Sequence, residues 1–336
     1  MSVLVGGVVV YFAVKSMIEE DEAETRAVET RALNPGAQNR GQGDNFSPPL
    51  RSANGPGQRS NGRPGTAGRG EPGRTSPRQF EGERITGEMT NRPEFGHDFE
   101  LPRSSMVFSW APPFDFAIGA PGFDQGTKDD EKPQTMIVFT EGFWVAQTEV
   151  TQAEFKQYMG ENPSHYLGDG NLPVENVTWF EAMEFCEKLN QEYRDLLPDG
   201  YAFTLPTQSQ FEAMSAEGSN GLHGGVDDIE SIAWASWSGV QTTQRVGQLP
   251  ANEWGLHDTF GNVAEWTRDW YGPQLPGASV RDWEGPVEGT EKVVKGGTFN
   301  DERRELRVFN RYSLPPDERR PLVGFRVALA PVSDQL

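Results

Sequence analysis

The stretch 255–271, reading GLHDTFGNVAEWTRDWY, constrains the fold more than any other part of the chain. It sets Trp266, Trp270 and Tyr271 beside Asp258, Glu265 and Asp269, with Gly255 and Gly261 as points where the backbone can bend. Aromatic side chains at this density bury, because each removes a large apolar area from water. Carboxylates caught among them need a partner, since an unpaired buried charge is costly. A hard cation is one such partner and an arginine is another. The stretch is too short to fold alone, so the flanking chain must complete its core.

The 336 residues hold 30 Lys and Arg against 50 Asp and Glu, a formal net charge of -20. Domains of about 100–200 residues allow one large unit or two small ones. Such acidity argues against a nucleic-acid partner, whose affinity comes largely from neutralised phosphates. It suits calcium binding and plain solubility equally. The single cysteine, Cys186, excludes an intramolecular disulfide framework.

Residues 3–14 (VLVGGVVVYFAV) form a continuous apolar run, followed by Lys15 and then Glu19, Glu20, Asp21 and Glu22. A bilayer-spanning helix needs about 20 apolar residues, and this run is shorter. No basic residue precedes it and no small-residue cleavage pattern follows, so it is a poor signal peptide. The expectation is a membrane anchor over residues 1–18 that continues upstream of Met1. Residues 19–103 read as a linker. Within it, 34–78 is dense in Gly, Pro, Asn, Ser and Arg and has too few aliphatic residues to offset the entropy of ordering. A soluble tether is preferred there over contact with RNA or anionic lipid.

From residue 104 to 336 the composition turns globular, with enough chain to bury a core. Thr151 with Glu154, Thr178 with Glu181, and Thr207 with Gln210 have the spacing of capping boxes and predict three helix starts. After Thr178, apolar residues at Trp179, Met183 and Cys186 and at Ala182, Phe185 and Leu189 make a buried helical stripe. Cys186 therefore reads as a small core residue, not a nucleophile. Strands are expected over 136–140, 143–146, 292–295, 307–309 and 324–329. No strand–helix alternation, phosphate loop or fixed-period repeat is visible. The prediction is an α+β domain with a small antiparallel sheet, two main helices and much irregular loop.

The motifs, taken in order, resemble the formylglycine-generating enzyme, or sulfatase-modifying factor, family. FAIG at 116–119 and DEKP at 130–133 are followed by GFWVAQTEVT at 142–151. NPS at 162–164 and PVENVTWFEAMEFC at 173–186 come next, then LPTQSQF at 205–211 and RVG at 245–247. The stretch 252–271, GGT at 296–298 and GFRV at 324–327 complete the series. The resemblance covers about residues 116–330 and implies an elaborated C-type-lectin-like fold, with export to the cell envelope as a membrane-anchored protein.

In the family's copper oxidases two cysteines follow the motif matched here by Gly296, Gly297 and Thr298. Those places fall on Asp301 and Leu306, and soft Cu(I) strongly prefers sulfur. Ala264 also replaces a family tryptophan. Copper-dependent formylglycine formation is therefore not expected. The four histidines, His97, His165, His223 and His257, form no H-x-x-x-H pair, so the family's iron-dependent branch is not expected either. The resemblance does carry over a structural calcium site, with Asp258, Gly261 and Val263 (as carbonyls) and Glu265 as ligands; the competing reading pairs Glu265 with an arginine such as Arg268. The family's substrate groove maps to 300–326, and Thr298, Asp301, Arg303 and Arg307 are its candidate ligand residues here. The leading functional expectation is a non-catalytic, membrane-tethered member that binds a peptide, protein or glycan. The alternative is an oxidase acting on sulfatases or another protein by an unrecognised site.

Overall fold

Three threonines start the three α-helices. Thr151, Thr178 and Thr207 each accept a hydrogen bond from the backbone three residues on, and the side chains of Glu154, Glu181 and Gln210 each accept one from the threonine's own backbone amide. These boxes open α1 (Gln152–Met159), α2 (Trp179–Tyr193) and α3 (Gln208–Ser215). All three starts are those that the capping-box spacing predicts. The structure, a computed structural model, describes residues 89–124, 126–217, 221–225 and 228–332. The expected anchor and most of the expected linker lie outside these residues. Among the described residues no helix is long and apolar enough to cross a membrane.

Among the described residues twelve strands form three small sheets. The first contains β1 (Phe99–Glu100), β2 (Val107–Ala111), β5 (Phe143–Ala146), β6 (Tyr201–Thr204) and β12 (Ala328–Pro331), in the order β1-β2-β5-β12-β6 and antiparallel throughout. The second orders β10 (Tyr312–Leu314), β9 (Lys292–Lys295), β7 (Ala264–Trp270) and β11 (Val323–Gly324), with β11 parallel to β7. The third orders β3 (Phe114–Ile118), β4 (Thr135–Phe139) and β8 (Val280–Arg281). The α+β expectation holds, but with three sheets in place of one and with two short parallel pairings.

The first sheet is buried on both faces, which explains why its strands read as short apolar runs rather than alternating ones. Trp144, Ala146 and Leu329 face a core completed by Phe155, Phe185 and Cys186 of the helices. Phe143, Val145, Ala328 and Ala330 face a second core with Met214, Phe260 and Phe309. Successive residues of β5 thus enter different cores.

Three expectations are corrected. Residues 89–103 are not tether: Phe99 and Leu101 are fully buried, and Phe99 stacks on Phe108 at 4.7 Å. No strand forms over 307–309, because the Lys295 ammonium takes the carbonyls of Val308 (2.8 Å) and Asn310 (2.7 Å). The strand follows at β10. The expected strand 324–329 is divided between β11 and β12, which belong to different sheets. The chain crosses between them at Phe325–Val327, and Gly324 permits the crossing: a Cβ there would lie 2.3 Å from the Val174 carbonyl oxygen.

Cys186 lies in the α2 stripe as expected, buried, with its thiol pKa pushed up by burial. Cys186→Ser should therefore destabilise the protein more than Cys186→Ala, by roughly 1–3 kcal/mol for a hydroxyl left without a partner. Denaturant melts of the two variants check this; equal loss in both would exclude a sealed apolar site around the sulfur.

Candidate functional site

The alternation of β7 sorts the tryptophans from the carboxylates. Trp266 enters the first core, its Nε1 donating to the Val177 carbonyl at 3.0 Å. Glu265, Thr267 and Asp269 point the other way and are equally buried. Each has found a partner. Asp269 accepts from the Gln208 amide at 2.6 Å, at the N-terminus of α3, where orphan amides favour an anion. Glu265 meets Arg326 as a bidentate fork: Nε to Oε2 at 2.7 Å and Nη2 to Oε1 at 2.6 Å, both side chains sealed from solvent. The arginine partner is thus Arg326, not Arg268, which instead pairs with Glu284 at 2.6 Å.

The turn ahead of β7 and the segment before α1 each bring a further carboxylate to the same guanidinium. Asp258, Gly261 and Asn262 all adopt left-handed backbone angles, φ 54°, 78° and 54°. Gly261 is required: a Cβ there would lie 2.0 Å from the Trp234 carbonyl oxygen. Asp258 Oδ2 accepts from the Gly247 amide at 2.7 Å, while its buried Oδ1 has no partner among the described residues. Glu149, buried just before α1, accepts from Asn262 Nδ2 at 3.1 Å and lies in the field of Asp258, Glu265 and Arg326. Burial, then the charges of Asp258 and Glu265, hold the Glu149 carboxyl well above the ordinary range. Burial also raises Asp258 and Glu265. Three carboxylates therefore share one arginine. Among the described residues no group of three His, Cys, Asp or Glu side chains could hold a metal alone, so any ion here would depend on backbone carbonyls as well. Glu149 lies within the motif GFWVAQTEVT at 142–151, but sequence reasoning does not single it out as a site residue.

The second candidate region is the turn 296–311. Asp301 Oδ2 accepts from the Thr298 amide at 2.8 Å, and burial raises its pKa. Leu306 is fully buried, and a Cβ on Gly297 would meet its Cδ2 at 2.5 Å. Arg303 forms an exposed pair with Glu230 at 3.1 Å. Arg307 is turned inward: its guanidinium forks onto Glu131 at 2.8 Å twice and reaches Asp124 at 2.5 Å. Thr298 and Asp301 thus come together, whereas Arg307 is already engaged as a strut and offers no free fork to a ligand. Lys128, not singled out by the sequence, sits over the Tyr312 ring at 4.9 Å and donates to Asn310 at 2.6 Å.

Residues 115–331 match the family described as the sulfatase-modifying factor enzyme 1-like domain. The chain belongs to that family. Relatives of this sulfatase-modifying-factor-type chain include the chaperone protein LppX of Paenibacillus barcinonensis, 27% identical over 46% of this chain and 68% of that one. A serine/threonine-protein kinase of Chlamydia pneumoniae is 30% identical over 48% of this chain but only 24% of its own length. The mouse formylglycine-generating enzyme is 26% identical over 49% of this chain and 46% of its own. The chain thus spans less than half of the kinase and of the mouse enzyme. Among solved structures, Treponema denticola variable protein 1 superposes with TM-score 0.62 at 25% identity, over 70% of this chain and 98% of that one. PvdO from Pseudomonas aeruginosa gives TM-score 0.62 at 21% identity, with 70% and 99% covered. The elaborated C-type-lectin-like fold expected from the motifs is the fold found.

The raised carboxyls of the domain have a measurable consequence. A folded state that keeps its protons above the ordinary carboxyl pKa binds more of them than the unfolded chain. Stability contributed by these groups is then greatest in acid and falls as pH rises through the folded values. For Asp269 the window runs from 3.8 to about 6, and Glu149 is likewise raised well above its ordinary 4.5. Without added divalent ions, Glu149→Gln should flatten the decline in melting temperature towards neutral pH. An unchanged pH profile in that variant would remove Glu149 from the cluster's electrostatics.

Proposed function

We propose that this family member is a non-catalytic binding protein, held at a membrane by its N-terminal apolar run and stabilised by calcium. The observation that carries the first part is the chemistry at the two thiolate positions. Asp301 is a carboxylate committed to capping its own turn, and Leu306 is a packed hydrocarbon. Neither supplies the sulfur that Cu(I) prefers. The relatives support a range of roles for this domain, since their names include a chaperone and kinases as well as formylglycine-generating enzymes. A ligand would meet the 296–311 turn at Thr298, Asp301 and Arg303, with Lys128 beside them.

The decisive assay gives the full chain copper and a peptide carrying Cys-x-Pro-x-Arg, with a working formylglycine-generating enzyme in parallel. Mass spectrometry should find the peptide cysteine unchanged beside a converted control. Conversion by this chain would establish an oxidase with another ligand set.

Calcium is supported by the charge balance of the buried cluster. The partnerless Oδ1 of Asp258, the carbonyls of Gly261 and Val263, and the remaining lone pairs of Glu265 would be its ligands, with Glu149 beside them. Such an ion would offset the excess of carboxylate over guanidinium. Binding to the native state alone stabilises it by mass action, by about 2.7 kcal/mol at a hundredfold excess over Kd. Chelation should accordingly lower the melting temperature by several degrees, and Asp258→Asn should lose most of that response. A melting curve indifferent to chelator and to calcium would leave the cluster neutralised by protons instead.

A further inference from the structure

We propose that the cavity between residues 167–172 and 242–249 is a binding site for a neutral saccharide. Its volume is about 570 Å³, within the range of small-molecule sites, about 300–1,000 Å³. Trp234 forms one side, Leu167 and Leu249 add apolar surface, and Thr242, Gln244 and Gln248 supply polar groups. Leu167 is 73% exposed, so the rim presents hydrocarbon to solvent.

The lining chemistry narrows the ligand class. The only charges in the lining are Asp169 and Arg245, which pair with each other, so the lining itself carries no net charge to select an anion or a cation. What remains is an indole, hydroxyls and planar amides. A pyranose ring matches that combination: its C–H face packs on an aromatic ring, whose face is electron-rich, and its hydroxyls exchange hydrogen bonds with amides around the edge.

The walls are held rather than loose. The Val246 amide donates to the Asn171 carbonyl at 3.0 Å, joining the two loops. Asn262 fixes Gln244 from below, accepting from its amide at 2.9 Å and donating to its carbonyl at 3.2 Å. The Asn262 amide also donates to the Trp234 carbonyl at 2.9 Å. Gly247 is anchored on Asp258. A preformed wall spares a ligand the entropy of ordering it. The site uses other residues than the 296–311 turn, so its failure would leave the family reading and the calcium reading untouched.

Isothermal titration calorimetry of the full chain with cellotriose, mannotriose and triacetylchitotriose tests the proposal, with triglycine as the peptide comparison. At least one triose should bind saturably at one site per chain. Trp234→Ala should weaken that binding at least tenfold, and Gln248→Ala, an exposed change that leaves the core intact, should weaken it several-fold. Circular dichroism establishes that each variant is folded, and the Gln248 variant decides the matter if the Trp234 variant is not. No saturable binding of any triose, binding equal in the wild type and the Gln248 variant, or preference for triglycine would each overturn the assignment.

Discussion

The buried fork between Glu265 and Arg326 is the interaction on which the rest of the structure depends. Glu265 lies on β7, and Arg326 lies in the crossing that takes the chain from β11 in one sheet to β12 in another. The pair therefore joins two sheets whose strands do not hydrogen-bond to each other. Its guanidinium also reaches the carbonyls of His257 at 3.1 Å and Ala146 at 3.3 Å, so the turn before β7 and the end of β5 converge on one side chain. A buried ion pair is weak evidence of net stability, because desolvation offsets much of the Coulomb attraction. Its effect is better read as register: the crossing closes correctly only when Arg326 points at Glu265. Removing one partner would leave the other charged and unpaired, which typically costs about 3–5 kcal/mol.

A second polar network lies behind the 296–311 turn. Lys295 donates to Glu212 at 3.0 Å and to two carbonyls of that turn, while Glu212 accepts from the Gly119 amide at 3.0 Å. Arg307 and Arg311 extend it to the loop before β4 through Glu131, Asp124 and the Asp130 carbonyl. Where the copper oxidases of the family place reactive thiols, this chain has a turn whose cations are spent on its own backbone and carboxylates. The turn is consequently braced from behind by these bonds. Arg303 stays at the surface, paired with Glu230.

The carboxylate cluster and the cavity beside it are mechanically one piece. Asn262 touches Glu149, Gln244 and, through its backbone, Trp234, while Asp258 holds Gly247. Neutralisation of the cluster, by protons or by a cation, acts on the same residues that shape the cavity wall.

Local rules made the helices legible: each capping box is complete within four residues, and the α2 stripe repeats within one helix. The motif order identified the family, and the density of aromatics and acids at 255–271 marked the structural centre. What sequence could not decide was pairing at a distance. Arg326 is 61 residues from Glu265, and Glu149 is 114 from the Val263 amide. Nothing local chooses Arg326 over Arg268, or turns Arg307 towards Glu131, 176 residues earlier. Likewise an apolar run such as 324–329 shows that residues bury but not that one run serves two sheets. Chain composition and short-range spacing therefore determined which residues must be inside and where helices begin. Only tertiary structure decided which buried charge meets which, because a charge is satisfied by whatever neighbour the whole fold brings within hydrogen-bond reach.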